Sequence, residues 1–264
     1  MKIVALNAWG GRLNDALLPY LAAEAPDILC LQEVVVTNNP PGPWLTYRDG
    51  DHVLAQRANV LADVAGALPH HTAIFCPSAQ GTLLADGDEE IFSQWGIATF
   101  IHPRLTLIGQ AQHFVHKDFS ANGYGEHPRS RTAHAVRVHD PAGRTVTVAH
   151  MHGLRDLAGK HDTPARTRQA HRFRDLIAPL PADIRVLCGD FNVLPGSATL
   201  KILERAGFTE LVTANGHTST RTSLYEKPVR FADYMLINRI DAVRTFTVVT
   251  DPEVSDHCPL RLTI

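Results

Sequence analysis

The chain has 264 residues, near the upper size for one hydrophobic core, with 44% apolar and 20% charged residues, so it reads as a single globular domain over 1–264. A formal charge of -2 argues against a protein that coats nucleic-acid duplexes, which would carry a basic excess. No apolar stretch reaches bilayer length, and Met1–Leu6 is too short for a signal peptide, so no membrane span, a cytoplasmic location and a monomer are the default expectations.

In chain order, the β-branched run Lys2–Leu6 predicts a strand. Arg12–Ala25 carries Leu13, Ala16, Leu17 and Leu21 at helical spacing and stops before Pro26. Asp27–Leu31 predicts a second apolar strand, and Thr37–Gly50, rich in Pro, Asn and Gly, a loop. His52–Leu68 reads as a helix, His71–Cys76 as a strand, and polar Pro77–Glu90 as a loop. Phe92–Ile101 and Leu105–Gln112 read as paired strands around His102-Pro103-Arg104. Gln112–Arg129 reads as a long irregular segment, which in a compact domain is often functional. Thr132–His139 and Thr145–His150 flank a turn at Asp140–Gly143 and predict a hairpin. An arginine-rich helix over Pro164–Leu180, a strand at Ile184–Cys188 and a helix over Ser197–Ala206 capped by Ser197 follow. Phe231–Ile237, Ala242–Val249 and Pro259–Thr263 complete the strands. Early strand–helix alternation followed by hairpins fits two packed mixed sheets with helices outside better than a single wound sheet.

The four cysteines, Cys30, Cys76, Cys188 and Cys258, form no C-x-x-C pair, which argues against structural zinc. The informative pattern is polar residues placed at strand ends. Asn7, Glu33, His150 with His152, and Asp190 with Asn192 each follow an apolar run, and Asp256-His257 precede the last one. If those strands lie side by side, the polar ends converge on one rim. Carboxylates and carboxamides suit a hard divalent cation such as Mg²⁺, with Mn²⁺ as a substitute, and such a set suits phosphate-ester hydrolysis.

Leu6-Asn7, Pro26-Asp-Ile-Leu-Cys-Leu-Gln-Glu33-Val, Gly189-Asp-Phe-Asn192, Ala232-Asp-Tyr-Met235 and Ser255-Asp-His-Cys-Pro259 stand in the order found in the endonuclease/exonuclease/phosphatase superfamily, which this chain therefore resembles over nearly its whole length. The resemblance implies a deoxyribonuclease-like four-layer α/β sandwich, two mixed β-sheets face to face with helices outside. It implies Glu33 as principal metal ligand, with Asn7 and Asp256 assisting. It implies Asp190 as the group that orients or deprotonates water, and Asn192 on the phosphate. It implies His257 on the phosphate as an imidazolium whose pKa is raised by Asp233, and His150 as the histidine that stabilises the phosphate or protonates the leaving oxygen. Apurinic endonucleases carry Asp where this chain has Trp9 and Tyr where it has His150, so abasic-site repair is disfavoured.

His152, Arg131, Arg166 and Tyr124 are the candidate substrate contacts, the first through the H-x-H pair and the last through stacking on a base. The expected partner is a phosphate-ester substrate. A nuclease-type phosphodiesterase acting on nucleic acid leads. A sphingomyelinase-like or inositol-phosphate-type phosphoesterase is the alternative, and a catalytically silent module or a histidine-rich metal-binding protein represents other classes.

Overall fold

The computed structural model describes residues 1–264. The chain forms fourteen strands in chain order. They are β1 (Lys2–Asn7), β2 (Ile28–Thr37), β3 (Trp44–Asp49), β4 (His52–Arg57), β5 (Thr72–Leu84), β6 (Glu90–Ile101) and β7 (Thr106–His116), then β8 (Arg131–His139), β9 (Thr145–His152), β10 (Ile184–Asp190), β11 (Thr209–Glu210), β12 (Asp233–Ile237), β13 (Thr245–Val248) and β14 (Leu260–Thr263). The helices are α1 (Asn14–Glu24), α2 (Val60–Ala67), α3 (Pro164–Leu176) and α4 (Ala198–Arg205). An eight-stranded sheet runs β13-β14-β1-β2-β6-β5-β3-β4, and a six-stranded sheet runs β11-β12-β10-β9-β8-β7. Both are mixed, and the architecture is the expected sandwich with helices outside. No helix is long and apolar enough to cross a membrane.

Strand periodicity explains why the first strands are apolar throughout. In β1, Ile3 and Ala5 face the core between the sheets, whereas Val4 and Leu6 face the layer under α1 and α2. In β2, Ile28 and Cys30 face inward and Leu29 and Leu31 outward. On the other side α3 and α4 cover the second sheet through Phe173, Leu176, Leu200 and Leu203. All four cysteines are buried free thiols.

Each sheet contains one parallel pair. β1–α1–β2 makes the first, and β9–α3–β10 the second, with antiparallel strands on either flank. The carboxyl ends of both pairs open on the same rim, because Asn7 at the end of β1 contacts Asp190 at the end of β10. Ligands in α/β sheets collect at such carboxyl ends.

Several local expectations are corrected. The Thr37–Gly50 segment holds β3, which pairs with β4 in a hairpin. The helix expected over His52–Leu68 is strand to Arg57 and helix only from Val60, because Asn59 accepts from the Ala62 N–H and starts the helix there. The polar stretch after Pro77 remains strand in β5 as far as Leu84, since a bulge between Pro77 and Ala79 absorbs the proline. β6 and β7 do not pair. His102-Pro103-Arg104 carries the chain from the first sheet to the second, where β7 pairs with β8.

Candidate active site

Register brings the site together. Asp190 lies opposite His152 across β9–β10 and opposite Asp233 across β10–β12, so three polar side chains come from adjacent strands. In the facing sheet, Asn7 pairs with Gln32 across β1–β2. A bulge between Leu31 and Val34 then frees Gln32 and Glu33 from the β6 ladder. Glu33 adopts φ 55°, a left-handed conformation costly for a residue with a Cβ. The bulge turns the Glu33 carboxylate toward the rim.

The Asn7 amide joins the two sheets. Its Nδ2 donates to Glu33 Oε1 at 3.1 Å and to Asp190 Oδ2 at 3.1 Å. Asn7 is itself fully buried, and its backbone carbonyl accepts from Ser255 Oγ at 2.7 Å. Asp190 Oδ1 accepts from the Asn192 N–H at 3.0 Å, and Asn192, at φ 53°, sends Nδ2 to the Gly153 carbonyl at 3.4 Å. His152 Nε2 stands 3.9 Å from Glu33 and 3.8 Å from Asp190, and His257 Nε2 stands 3.8 Å from Asp190. Burial together with the Arg131 guanidinium holds the His152 imidazole well below its ordinary value.

No lysine or arginine forms an ion pair with Glu33 or Asp190. Burial, with Asp190 beside it, pushes the Glu33 carboxyl up. Two converging carboxylates and an amide, with no lysine or arginine in direct ion-pair contact, are an oxygen-rich set that a hard divalent cation fits. Asp190, Asp233 and His257 also offer ligand atoms within 4.8 Å of one another. There His257 Nδ1 is engaged with Asp233 at 2.8 Å, which leaves Nε2 as the free ring nitrogen, 3.8 Å from Asp190.

His257 and Asp233 form a buried pair. Burial pushes Asp233 up to about 6, while burial and the Arg221 guanidinium push His257 down to about 4. This departs from the expected imidazolium. Pairing alone would raise the imidazole, but desolvation in this pocket outweighs it, and a neutral ring donating Nδ1–H to the Asp233 carboxylate results. Asp256 is held by Arg221, whose Nη1 donates to Oδ2 at 2.7 Å. The other Asp256 oxygen, Oδ1, stands 3.8 Å from His257 Nε2.

The histidine expectation is redirected. His150 is buried with both ring nitrogens engaged: Gln32 Nε2 lies 3.1 Å from Nδ1 and Thr99 Oγ1 2.9 Å from Nε2. It belongs to a polar bridge between the sheets, whereas His152 reaches the carboxylates. Arg166 is likewise structural. Its guanidinium is buried and donates to the carbonyls of His161, Gly159 and Leu154, tying down the loop after β9. Arg131 stays near the rim, donating Nε to the Gly153 carbonyl at 3.0 Å. Burial pushes its guanidinium down to about 10, which leaves it charged at neutral pH. Tyr124 packs edge-on against Tyr47 at 4.6 Å and tilted against Trp95 at 4.0 Å. Beside Glu33 and His152 a cleft of about 360 Å³ opens, lined by these aromatics, Arg129, Arg131 and Arg155.

Sequence reasoning missed Arg221, Ser255 and Lys160, whose Nζ donates to the Phe231 carbonyl at 2.5 Å near Asp190 and Asp233. Lys160 and Arg221 lie in irregular segments with no periodicity to mark them. Ser255 stands at the start of the Ser255-Asp-His-Cys-Pro259 motif, where its residue type alone marks no role.

A model of the endonuclease/exonuclease/phosphatase family matches residues 4–257. Among solved structures, the chain is similar to an endonuclease/exonuclease/phosphatase from Bacteroides vulgatus, at 15% identity and TM-score 0.65, covering 99% of this chain and 97% of that one. It is similar to a mannosyl-6-phosphatase from Bacteroides thetaiotaomicron at 13% identity and TM-score 0.67, covering 100% and 98%. It is also similar to the human Nocturnin catalytic domain with bound sulfate at 17% identity and TM-score 0.62, covering 99% and 93%. Likeness at these identities shows the fold alone. Comparison with curated proteins finds no sequence match.

Proposed function

Because the chain belongs to the endonuclease/exonuclease/phosphatase family and is a phosphoester hydrolase, we propose that Glu33, with Asn7 and Asp190 beside it, seats a Mg²⁺ ion and that the ester is cleaved by direct attack of water. The observation that carries this is the Asn7 amide donating at 3.1 Å to two carboxylates from opposite sheets, neither of which forms an ion pair with a lysine or arginine. A bound divalent cation would offset charge on the phosphate oxygens and balance those carboxylates.

The chain's own groups then take these roles. Asp190 receives a proton from the attacking water, being held in place through Asn7 and the Asn192 N–H. His152 and His257 turn their Nε2 atoms toward the phosphate, and Asp233 fixes the His257 ring. Asn192 lends its amide to a phosphate oxygen. Asp256, anchored by Arg221, acts on His257 rather than on the cation. Arg131 adds positive charge at the cleft side. In-line hydrolysis needs the same groups for phosphodiesters and phosphomonoesters, so both bond types belong to the reading, the nuclease-type phosphodiesterase included.

The test is hydrolysis of bis-p-nitrophenyl and p-nitrophenyl phosphate by the purified protein in Mg²⁺, Mn²⁺ and EDTA. Release is expected with either ion and none with EDTA. Glu33→Gln and Asp190→Asn should each lower kcat by about 10²–10⁴ with unchanged circular dichroism. Wild-type turnover in Glu33→Gln would remove the metal assignment.

A further inference from the structure

The connection from β9 to α3, residues 153–163, runs along the rim and is fixed at both ends. Gly153 accepts from Asn192 Nδ2 at 3.4 Å and from Arg131 Nε at 3.0 Å. Farther on, the buried Arg166 guanidinium gathers the carbonyls of Leu154, Gly159 and His161. Asp162 accepts from the Ala198 N–H at 3.0 Å and Thr163 from the Arg166 N–H at 3.2 Å, so these two side chains are engaged at the starts of α4 and α3. Lys160 lies between two of the clamped carbonyls. It follows Gly159, whose φ of 121° is a conformation that glycine alone adopts readily.

The segment 231–233 receives Lys160 beside groups already placed at the site. Lys160 Nζ donates to the Phe231 carbonyl at 2.5 Å. The Ala232 carbonyl accepts from the Asn192 N–H at 3.2 Å, and Asp233 holds His257 Nδ1 at 2.8 Å. Three consecutive residues thus line up Lys160, Asn192 and His257. An ammonium has three N–H groups, and the Phe231 carbonyl occupies one of them. Lys160 forms no direct ion pair, since the close charged partners of Asp190 and Asp233 are His152 and His257. Burial lowers the pKa of the ammonium, and the nearby Asp190 and Asp233 act against that. A half-buried cation with free donors and no direct partner points to an anionic ligand.

Resting on the phosphoesterase reading above, we propose that Lys160 turns its remaining N–H groups to the phosphate on the His257 side, and that it makes the site favour a terminal phosphate over a diester. Near neutral pH a monoester carries close to two charges and three nonbridging oxygens. A diester carries one charge and two such oxygens, the third place being taken by an alkyl group. A fixed cation gains about twice as much from two charges as from one, and the third oxygen gives its N–H groups an acceptor. The other groups on this side, Asn192 and His257, are an amide and an imidazole that burial holds neutral, so they contribute no comparable preference. Arg166 acts through the loop and is a positioning residue for Lys160.

The test measures kcat/KM for p-nitrophenyl phosphate and bis-p-nitrophenyl phosphate in Mg²⁺ with wild type, Lys160→Gln, Lys160→Met and Lys160→Arg. Gln can still donate to Phe231 without a charge, Met does neither, and Arg restores the charge. Gln and Met should lower kcat/KM for the monoester by about 10²-fold and for the diester by less than about tenfold. Arg should bring the monoester-to-diester ratio back to within about threefold of wild type. Both esters are read on one folded fraction, so partial unfolding cancels in the ratio. Equal losses for the two esters, or Lys160→Gln with the wild-type ratio, would overturn the assignment. Binding is read separately as the rise in Tm with inorganic phosphate in Mg²⁺, which wild type should show and Lys160→Gln should mostly lose. That difference without turnover of either ester by wild type keeps the Lys160 contact and removes the phosphoesterase reading. An equal rise in both proteins removes the contact itself.

Discussion

His150 and His152 differ by two positions in β9 and share its inward face, yet only one meets the carboxylates. The difference is depth. His150 lies far enough into the sandwich for Gln32 and Thr99 to occupy both nitrogens, while His152, at the end of the strand, stands 12% exposed beside Glu33 and Asp190. The two alanine variants should therefore separate. His152→Ala should lower kcat by about 10²-fold or more at nearly constant Tm. His150→Ala should remove one hydrogen bond each from Gln32 and Thr99, leave a cavity and cost about 2 kcal/mol in urea unfolding, with kcat of the folded fraction little changed. Equal catalytic loss in both would return the catalytic role to His150. The H-x-H pattern was legible in the sequence, but which histidine faces the site was not, because two-residue periodicity fixes the face of a strand and not the depth along it. Arg166 misled for a related reason. A guanidinium at the start of a helix has the same sequence signature whether it meets an anion or, as here, three loop carbonyls.

At the scale of elements, the site depends on how closely β9 and β10 approach. Gly189, paired with Met151 one position before Asp190 pairs with His152, has φ 120°, and a Cβ there would stand 2.3 Å from the Met151 carbonyl oxygen. Gly189→Ala should cost about 3 kcal/mol and, by spreading the strands next to Asp190 and His152, lower kcat as well. A variant with wild-type kcat would show that the site tolerates this displacement. The strands carrying Asn7, Asp190 and Asp233 were legible because apolar runs end abruptly in polar residues. The β3–β4 hairpin and the second half of β5 were not. They lie toward the β4 edge of the eight-stranded sheet, where polar residues such as the exposed His52 and the half-buried Gln56 and Gln80 mimic loop or helix. The Glu33 bulge left no trace either, since its two unpaired residues read as a continuation of the strand.

For the whole molecule, the two sheets meet through a polar bridge set in an otherwise apolar core. Gln32 Nε2 donates to the Cys30 carbonyl and to His150 Nδ1, so His150 carries its proton on Nε2 and donates to Thr99 Oγ1, and the Thr99 hydroxyl donates to His134 Nδ1 at 2.7 Å. This order works only with both rings neutral. A protonated His150 would set its Nδ1–H against the Gln32 amide donor. Burial accordingly pushes His134 down to about 4 from an ordinary 6.5 and His150 well below its ordinary value. Between about 6.5 and about 4 the unfolded chain therefore binds more protons than the folded one, and acid favours unfolding. The stability from a neutral His134 is fully present above 6.5 and is lost as pH falls toward 4, amounting to roughly 3 kcal/mol. Asp233, raised by burial to about 6, acts in the opposite sense and gains stability as pH falls through that value. Comparison with His134→Gln isolates the histidine, because Asp233 is common to both proteins and Gln can still accept from Thr99. Urea unfolding from pH 7.5 to 4 should show wild-type stability falling by roughly 3 kcal/mol relative to His134→Gln, with most of the change below pH 6.5. Parallel curves for the two proteins across that range would mean that His134 is protonated within the fold, and the neutral bridge between the sheets would have to be abandoned.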